Sequence, residues 1–269
     1  MQRTLRCPFF QRAFGWCVPI GALGGLIGLG GGEFRLPVLM YAIGFDAKSA
    51  VPLNLMVSLV TLALSLLVRS RAVSVDAIAP FLPEVVGLAV GGILSASYGA
   101  GLVGGLSNKR LVQAIAVLLA AIGLLMLSEV AHPFARAVAL PISPTAHFVL
   151  GFAIGLGIGI VSSMLGVAGG ELLIATLVFI FGADIKTAGS ASILISLGVV
   201  GAGLWRYWRL AAIPAGRGIR RIATAMAAGS IIGAAAGGLA VQYAPISALK
   251  VLLGCILIAA AAKTITSRD

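Results

Sequence analysis

Two glutamates stand in stretches of the chain that hold almost no other charge. Glu33 closes the run Gly-Leu-Gly-Gly-Gly-Glu and is followed by Phe-Arg-Leu-Pro (residues 28–37), and Glu171 closes Gly-Val-Ala-Gly-Gly-Glu (residues 166–171). A carboxylate near the middle of a bilayer costs about 2.5–3.5 kcal/mol on insertion scales, so it faces a pathway or a partner rather than lipid. Two roles fit such a group: carrying a coupling proton, or capping backbone amides freed by a broken helix. Gly31 and Gly32, with their counterparts Gly169 and Gly170, favour the break, because glycine runs are poor helix formers. Pro37 adds to it by giving no N–H to the carbonyl of Glu33. A helix restarting at Gly32–Glu33 or Gly170–Glu171 would present free amides and the positive end of its dipole to an anion.

Other polar residues fall near these breaks in the sequence. Arg35 has no counterpart, since position 173 is Leu; it either neutralises Glu33 or offers a planar donor fork to a substrate oxyanion. Asn54 and Ser58, four apart and so on one helical face, are matched by Ser192 and Ser196, with Ser190 opposite Pro52. They either line a pore or bond their own backbone and neighbouring helices. Asp46/Lys48 and Asp184/Lys186 read as helix N-caps with an interfacial lysine. Gly21/Gly25, Gly87/Gly91, Gly101/Gly105, Gly151/Gly155, Gly229/Gly233 and Gly233/Gly237 have the spacing that lets membrane helices pack closely.

Several chemistries are excluded. Position 33 is Glu where GxGxxG starting at Gly28 needs glycine, and no Gly-Lys-Ser/Thr follows either cluster, so neither is a nucleotide loop. Cys7, Cys17 and Cys255 form no CxxC, and His132 and His147 have no metal-binding spacing, so no cofactor or metal is expected. The chain of 269 residues is 60% hydrophobic and 10% charged, which excludes a soluble enzyme, for which about 25% charge is ordinary. The net charge of +11 lies between apolar runs and reads as membrane topology, not nucleic-acid binding.

The elements that must position these residues are membrane spans. Charge-free runs cover 13–32, 49–68, 85–108, 111–128, 137–170, 187–205 and 222–249, and an eighth, 246–262, carries only Lys250. Runs 36–45 and 172–183 are too short to cross alone, so 13–44 and 143–182 are predicted as two broken elements. At an offset of 138 residues, positions 28–59 share 11 identities out of 32 with 166–197, among them both Gly-Gly-Glu triplets, Asp46/Asp184 and Ser58/Ser196. The predicted fold is all-α, with about eight transmembrane elements in two four-element repeats, the first element of each broken. The divisions are a cytoplasmic segment 1–12, a first repeat 13–128, a connection 129–146 and a second repeat 147–265. Arg3, Arg6 and Arg12 before an apolar run also resemble a signal peptide, but its removal would destroy half of the repeat, so retention is expected.

With eight single crossings, one face gathers 13 Lys/Arg against four, which places both termini in the cytoplasm. If the broken elements enter and leave on one face, the halves become inverted and the count is unchanged. The eight-crossing arrangement is preferred because Arg69/Arg71 and Arg206/Arg209 occupy equivalent loops. Trp205, Tyr207 and Trp208 are expected to form an interfacial aromatic belt.

The Gly-Leu-Gly-Gly-Gly-Glu…Pro run, the Asp-x-Lys-x-Ala at 46–50 and the Asn/Ser-bearing helix after it, all echoed in the second half, resemble the TauE/SafE (sulfite exporter-like) family of membrane permeases. The resemblance covers roughly 19–128 and 147–263. It implies two repeats of about four membrane elements handling small anions such as sulfite, thiosulfate or organosulfonates, coupled to the proton gradient. Ala168 and Ala175 replace a glycine and the proline in the second half, so that half-site is expected to be the more regular helix and the weaker binder.

The sequence thus predicts a proton-coupled secondary transporter of a small anion in the inner (plasma) membrane. Its partners are the anion, protons and lipid; nucleic acid is not among them, and a homo-oligomer is left open. The anion is expected between the two breaks, held by half-helix amides and the Asn and Ser side chains, with access alternating as the repeats rock. A passive anion channel is the nearest rival. An intramembrane Ser–His enzyme and a non-catalytic scaffold are the other classes; His132 beside Pro133 and His147 at a helix start are poorly placed for the enzyme.

Overall fold

The computed structural model describes residues 7–70, 77–105, 108–131 and 143–240, with isolated positions between 243 and 262. The described residues are helical, without strands. The helices are α1 (Cys7–Ile27), α2 (Gly32–Pro37), α3 (Ala47–Arg69), α4 (Leu82–Gly105), α5 (Asn108–Ala131), α6 (Pro144–Leu165), α7 (Gly170–Phe179), α8 (Ile185–Arg209) and α9 (Arg217–Ala240). Five are long and apolar enough to cross a membrane: α3, the segment Ala79–Leu102 that forms most of α4, α6, α8 and α9. α1 begins at Cys7, ahead of the apolar run expected from residue 13.

Both predicted breaks are present. α1 stops at Ile27 and the chain restarts as α2 at Gly32, while α6 stops at Leu165 and restarts as α7 at Gly170. The residues before the restarts, Gly31 and Gly169, hold φ of 68° and 69°, a left-handed conformation that side-chain-bearing residues rarely adopt. There the chain doubles back. A Cβ on Gly31 would stand 3.0 Å from the carbonyl oxygen of Ile20, and one on Gly169 would stand 3.2 Å from Cγ2 of Ile158, the equivalent isoleucine. α2 therefore returns along α1, and α7 along α6. The second half is the more regular, as Ala175 suggested: α7 runs ten residues, whereas α2 gives way after Pro37 to a π-helical turn, Val38–Ala42.

The long helices after the hairpins start where the sequence predicts. Asp46 caps α3 by accepting the Ser49 amide at 3.2 Å, and Asp184 caps α8 by accepting those of Lys186 and Thr187 at 3.0 and 3.2 Å. Their relative direction overturns the preferred topology. A Cβ on Gly203 would lie 3.8 Å from Leu55, and one on Gly189 would lie 3.0 Å from Nη2 of Arg69, so the start of α3 faces the end of α8 and the reverse. α3 and α8 are antiparallel, so their last turns lie at opposite ends of the bundle. The reason is the hairpin: an element that returns to its own face is not a crossing, which reverses α8 relative to α3.

Two helix pairs make the most extensive contacts, α4 with α6 and α1 with α9. Both are parallel and both depend on glycine. A Cβ on Gly21 would meet the Ser230 carbonyl at 2.5 Å, and one on Gly229 that of Phe14 at 2.5 Å; Gly159 packs likewise on Gly92 and Gly91 on Phe152, the same contacts shifted by 138 residues. Among the isolated glycine pairs, Gly21/Gly25, Gly87/Gly91, Gly151/Gly155, Gly229/Gly233 and Gly233/Gly237 all lie in these seams. The Gly229→Val variant is therefore expected to separate α1 from α9, lowering stability by about 2 kcal/mol or more and visibly lowering the melting temperature in detergent. Gly157→Val, at a position with nothing within 4 Å, is the matched control that should melt like the parent.

Two residues assigned to the surface are inside. Arg69, counted with a loop, is 1% exposed in the last turn of α3, and Tyr207, assigned to an aromatic belt, is 2% exposed. Trp205 and Trp208 are exposed as a belt requires, with Arg209 stacked 4.7 Å over the Trp205 ring. Arg71, His132 and most of the connection 129–146 lie outside the described residues.

Candidate functional site

The two breaks meet. A Cβ on Gly170 would stand 3.2 Å from Cα of Leu29, and one on Gly32 would stand 3.4 Å from the Ala168 amide. Each break leaves backbone groups that a continuous helix would have paired, and most of the polar residues named from the sequence bond to them. Asn54 donates through Nδ2 to the carbonyls of Gly32 and Gly166, both at 2.7 Å. Ser192, its equivalent on α8, donates to the Gly28 carbonyl at 3.0 Å. Gly28 and Gly166 are themselves equivalent, so each long helix holds the other half's break. Ser196 donates to Ala168 at 3.0 Å, and Ser162 bonds the Val167 carbonyl at 2.5 Å.

Arg35 does the same for the first break. It donates from Nη2 to the Gly30 carbonyl (2.6 Å) and Ser58 (2.7 Å), from Nη1 to Thr61 (2.9 Å) and Ser230 (3.0 Å), and from Nε to Asn54 (3.2 Å). All five acceptors are neutral. The guanidinium, fully buried, makes no ion pair with Glu33, one of the two roles expected for it. Its charge is held among carbonyl, amide and hydroxyl oxygens, and its field reaches the centre without a free donor. Its place in the second half is taken by Ser196, whose hydroxyl bonds Ala168, the equivalent of Gly30.

What remains unpaired is the carboxylates. Glu33 and Glu171 are 0% exposed, occupy the first turns of α2 and α7, and find no hydrogen-bond donor for any of their four oxygens. The amides of Glu33 itself and of Gly169 lie near the Glu33 carboxylate without meeting hydrogen-bond geometry. Glu171 lies within reach of the Glu33 charge. The leading amides of a helix have no intrahelical carbonyl, and no side chain caps either of these starts.

Of the residues named from the sequence, Gly31, Gly32, Glu33, Arg35, Asn54, Ser58, Gly169, Gly170, Glu171, Ser192 and Ser196 come together around the two breaks. Ser190 does not join them; it accepts from Nε of Arg69 at 3.4 Å. Thr61, Ser162 and Ser230 were not foreseen. Thr61 was within reach of sequence reasoning, lying three residues after Ser58 on the same face. Ser230 was not, since only the packing of α9 on α1 brings it to Arg35. His147 pairs through Nδ1 with Glu84 at 2.7 Å, joining the starts of α6 and α4, and stacks edge-on against Phe181. Among the described residues no cluster of His, Cys, Asp or Glu fits a metal ion.

Half-helices that meet inside a bundle of apolar helices, with their starts uncapped and carboxylates beside them, are the construction of a membrane transport protein. The chain belongs to the Sulfite exporter TauE/SafE family, whose family model matches residues 13–264. No curated protein and no solved structure matches the chain. The family is one of membrane transporters, which accords with the apolar helices.

Proposed function

We propose that this protein is a secondary transporter of a small oxyanion, with sulfite, thiosulfate and an organosulfonate as the candidate substrates, and that protons drive it. One observation carries the reading: two uncapped half-helix starts meet at the centre, each with a buried carboxylate that no donor satisfies. The amides favour an anion, and an ionised carboxylate repels one. A proton on Glu33 or Glu171 removes that repulsion and supplies an O–H donor to the anion's oxygen, so proton and anion enter together.

The helices are read as two inverted four-element units, α1–α2 to α5 and α6–α7 to the segment after 243, of which Gly254 and Ile258 pack on Gly123 of α5. The substrate lies where the units meet. The full burial of both glutamates supports alternating access over an open channel, because the site is closed to both faces at once. The face bearing the starts of α1, α3 and α9 and the end of α8 holds the basic majority and is assigned to the cytoplasm of a cell inner membrane.

The test is flux in proteoliposomes loaded with the purified protein. Sulfite, thiosulfate or a short sulfonate should accumulate against its gradient when a pH difference is imposed. Flux that only ever runs down the anion's own gradient identifies a channel, and no flux of any of the three removes the assignment.

A further inference from the structure

The long helix of the first half carries more polar residues than the central site uses. Asn54, Ser58, Thr61, Ser65 and Arg69 follow one another at spacings of four, three, four and four along α3, on one face, and each is at most 1% exposed. Asn54, Ser58 and Thr61 engage Arg35, but the Ser65 hydroxyl, one turn further on, is buried with no partner at all. Arg69 ends the row. It donates from Nη1 to the carbonyls of Gly25 (3.3 Å) and Leu26 (3.0 Å), from Nη2 to that of Lys186 (3.2 Å) and from Nε to Ser190 (3.4 Å). It thereby ties the tip of the α1 hairpin to the start of α8 in the other half, and no carboxylate among the described residues pairs with it.

The second half lacks this row. The positions equivalent to Thr61, Ser65 and Arg69 are Val199, Gly203 and Tyr207. Tyr207 bonds only the Ser163 carbonyl, at 3.0 Å, the counterpart of Gly25, and stays within its own half. One face is therefore closed by a cation strapped across both halves, and the other by a neutral hydroxyl.

We propose that the polar row of α3 is the route between the central site and the face where α3 ends, with Arg69 as its gate and first anion-binding residue. This rests on the anion-transport reading above. The four acceptors that hold Arg69 are neutral and lie at 3.0–3.4 Å. An arriving oxyanion offers the guanidinium a shorter, charge-assisted and bidentate partner, so binding it releases the strap and opens the row toward Ser65.

Ser65→Cys, in a chain whose three cysteines are replaced, tests this in proteoliposomes through its reaction with two membrane-impermeant methanethiosulfonates, one bearing a sulfonate and one a quaternary ammonium. The sulfonate reagent, added at the face where α3 ends, should react about tenfold faster than the cationic one, as steering by a buried cation predicts. Arg69→Gln should abolish that preference while raising the rate for both. Arg69→Lys, which keeps the charge, should retain the preference and covers the case in which Arg69→Gln does not fold. Leu53→Cys, buried on α3 and three or four residues from no member of the row, should stay unreactive throughout. Equal reactivity of Ser65→Cys and Leu53→Cys, or an anion preference indifferent to Arg69, overturns the proposal. Sulfite flux that persists while Ser65→Cys stays inert condemns this route alone; a charge-selective row in a protein that moves no anion condemns the transport reading instead.

Discussion

Glu33→Gln is expected to abolish uphill accumulation of the anion driven by a pH gradient while sparing exchange of labelled for unlabelled anion. One coupled proton supports a tenfold concentration ratio for each pH unit across the membrane, about 1.4 kcal/mol. The variant should bring that ratio to about one. Glutamine keeps the shape and the hydrogen-bonding reach of a protonated glutamate but cannot give the proton back, so the loaded carrier still cycles in exchange. The sign follows from the site: acid on the side of entry loads the carboxyl and favours anion entry, and a more alkaline opposite side unloads both. Equal loss of accumulation and exchange would assign Glu33 to the architecture of the break or to anion binding and not to coupling. Glu171→Gln makes the same comparison for the second half, where the unbroken ten-residue α7 is expected to bind less of the anion.

Removing Arg35 has the largest expected effect on stability. Arg35→Met leaves Gly30 without its donor and withdraws one from Asn54, Ser58, Thr61 and Ser230, all buried. Each buried acceptor left unsatisfied costs about 1–3 kcal/mol, of which relief of the cation's own burial returns a part. A net loss of about 3 kcal/mol or more is expected, read as a lower melting temperature and a smaller yield of monodisperse protein in detergent. Arg35→Lys restores the charge, but its three donors from a single atom cannot reproduce a five-bond fork, so it should recover only part of the loss. A Met variant that melts like the parent would show that the first break is held by Asn54 and Ser192 alone.

The local features were legible. Glycine runs and Pro37 announced the breaks, Asp46 and Asp184 announced the caps, and the glycine pairs announced the helix seams, because each depends on a residue's own backbone preference or size. The meeting of the two Gly-Gly-Glu triplets was legible through the 138-residue offset. The partners of Asn54 and Ser192 were not: a polar residue on an apolar helix reads alike whether it lines a path or bonds a carbonyl of the opposite half. Arg69 and Tyr207 were misplaced for the same reason. Near a helix end, a charged or aromatic side chain fits the interface by type, and only the neighbours decide that it turns inward onto the tip of a hairpin.

By itself the sequence determined a membrane-embedded, all-helical chain interrupted at two Gly-Gly-Glu runs, since composition, period and glycine content act locally along the chain. Direction was decided only in three dimensions. The Lys/Arg count is 13 to four whether the broken elements cross or turn back, so charge cannot choose, and the choice falls to the left-handed Gly31 and Gly169, after which α2 and α7 double back. That turn reverses α8 against α3, brings the two breaks together, and leaves two carboxylates facing a centre that neither half could build alone.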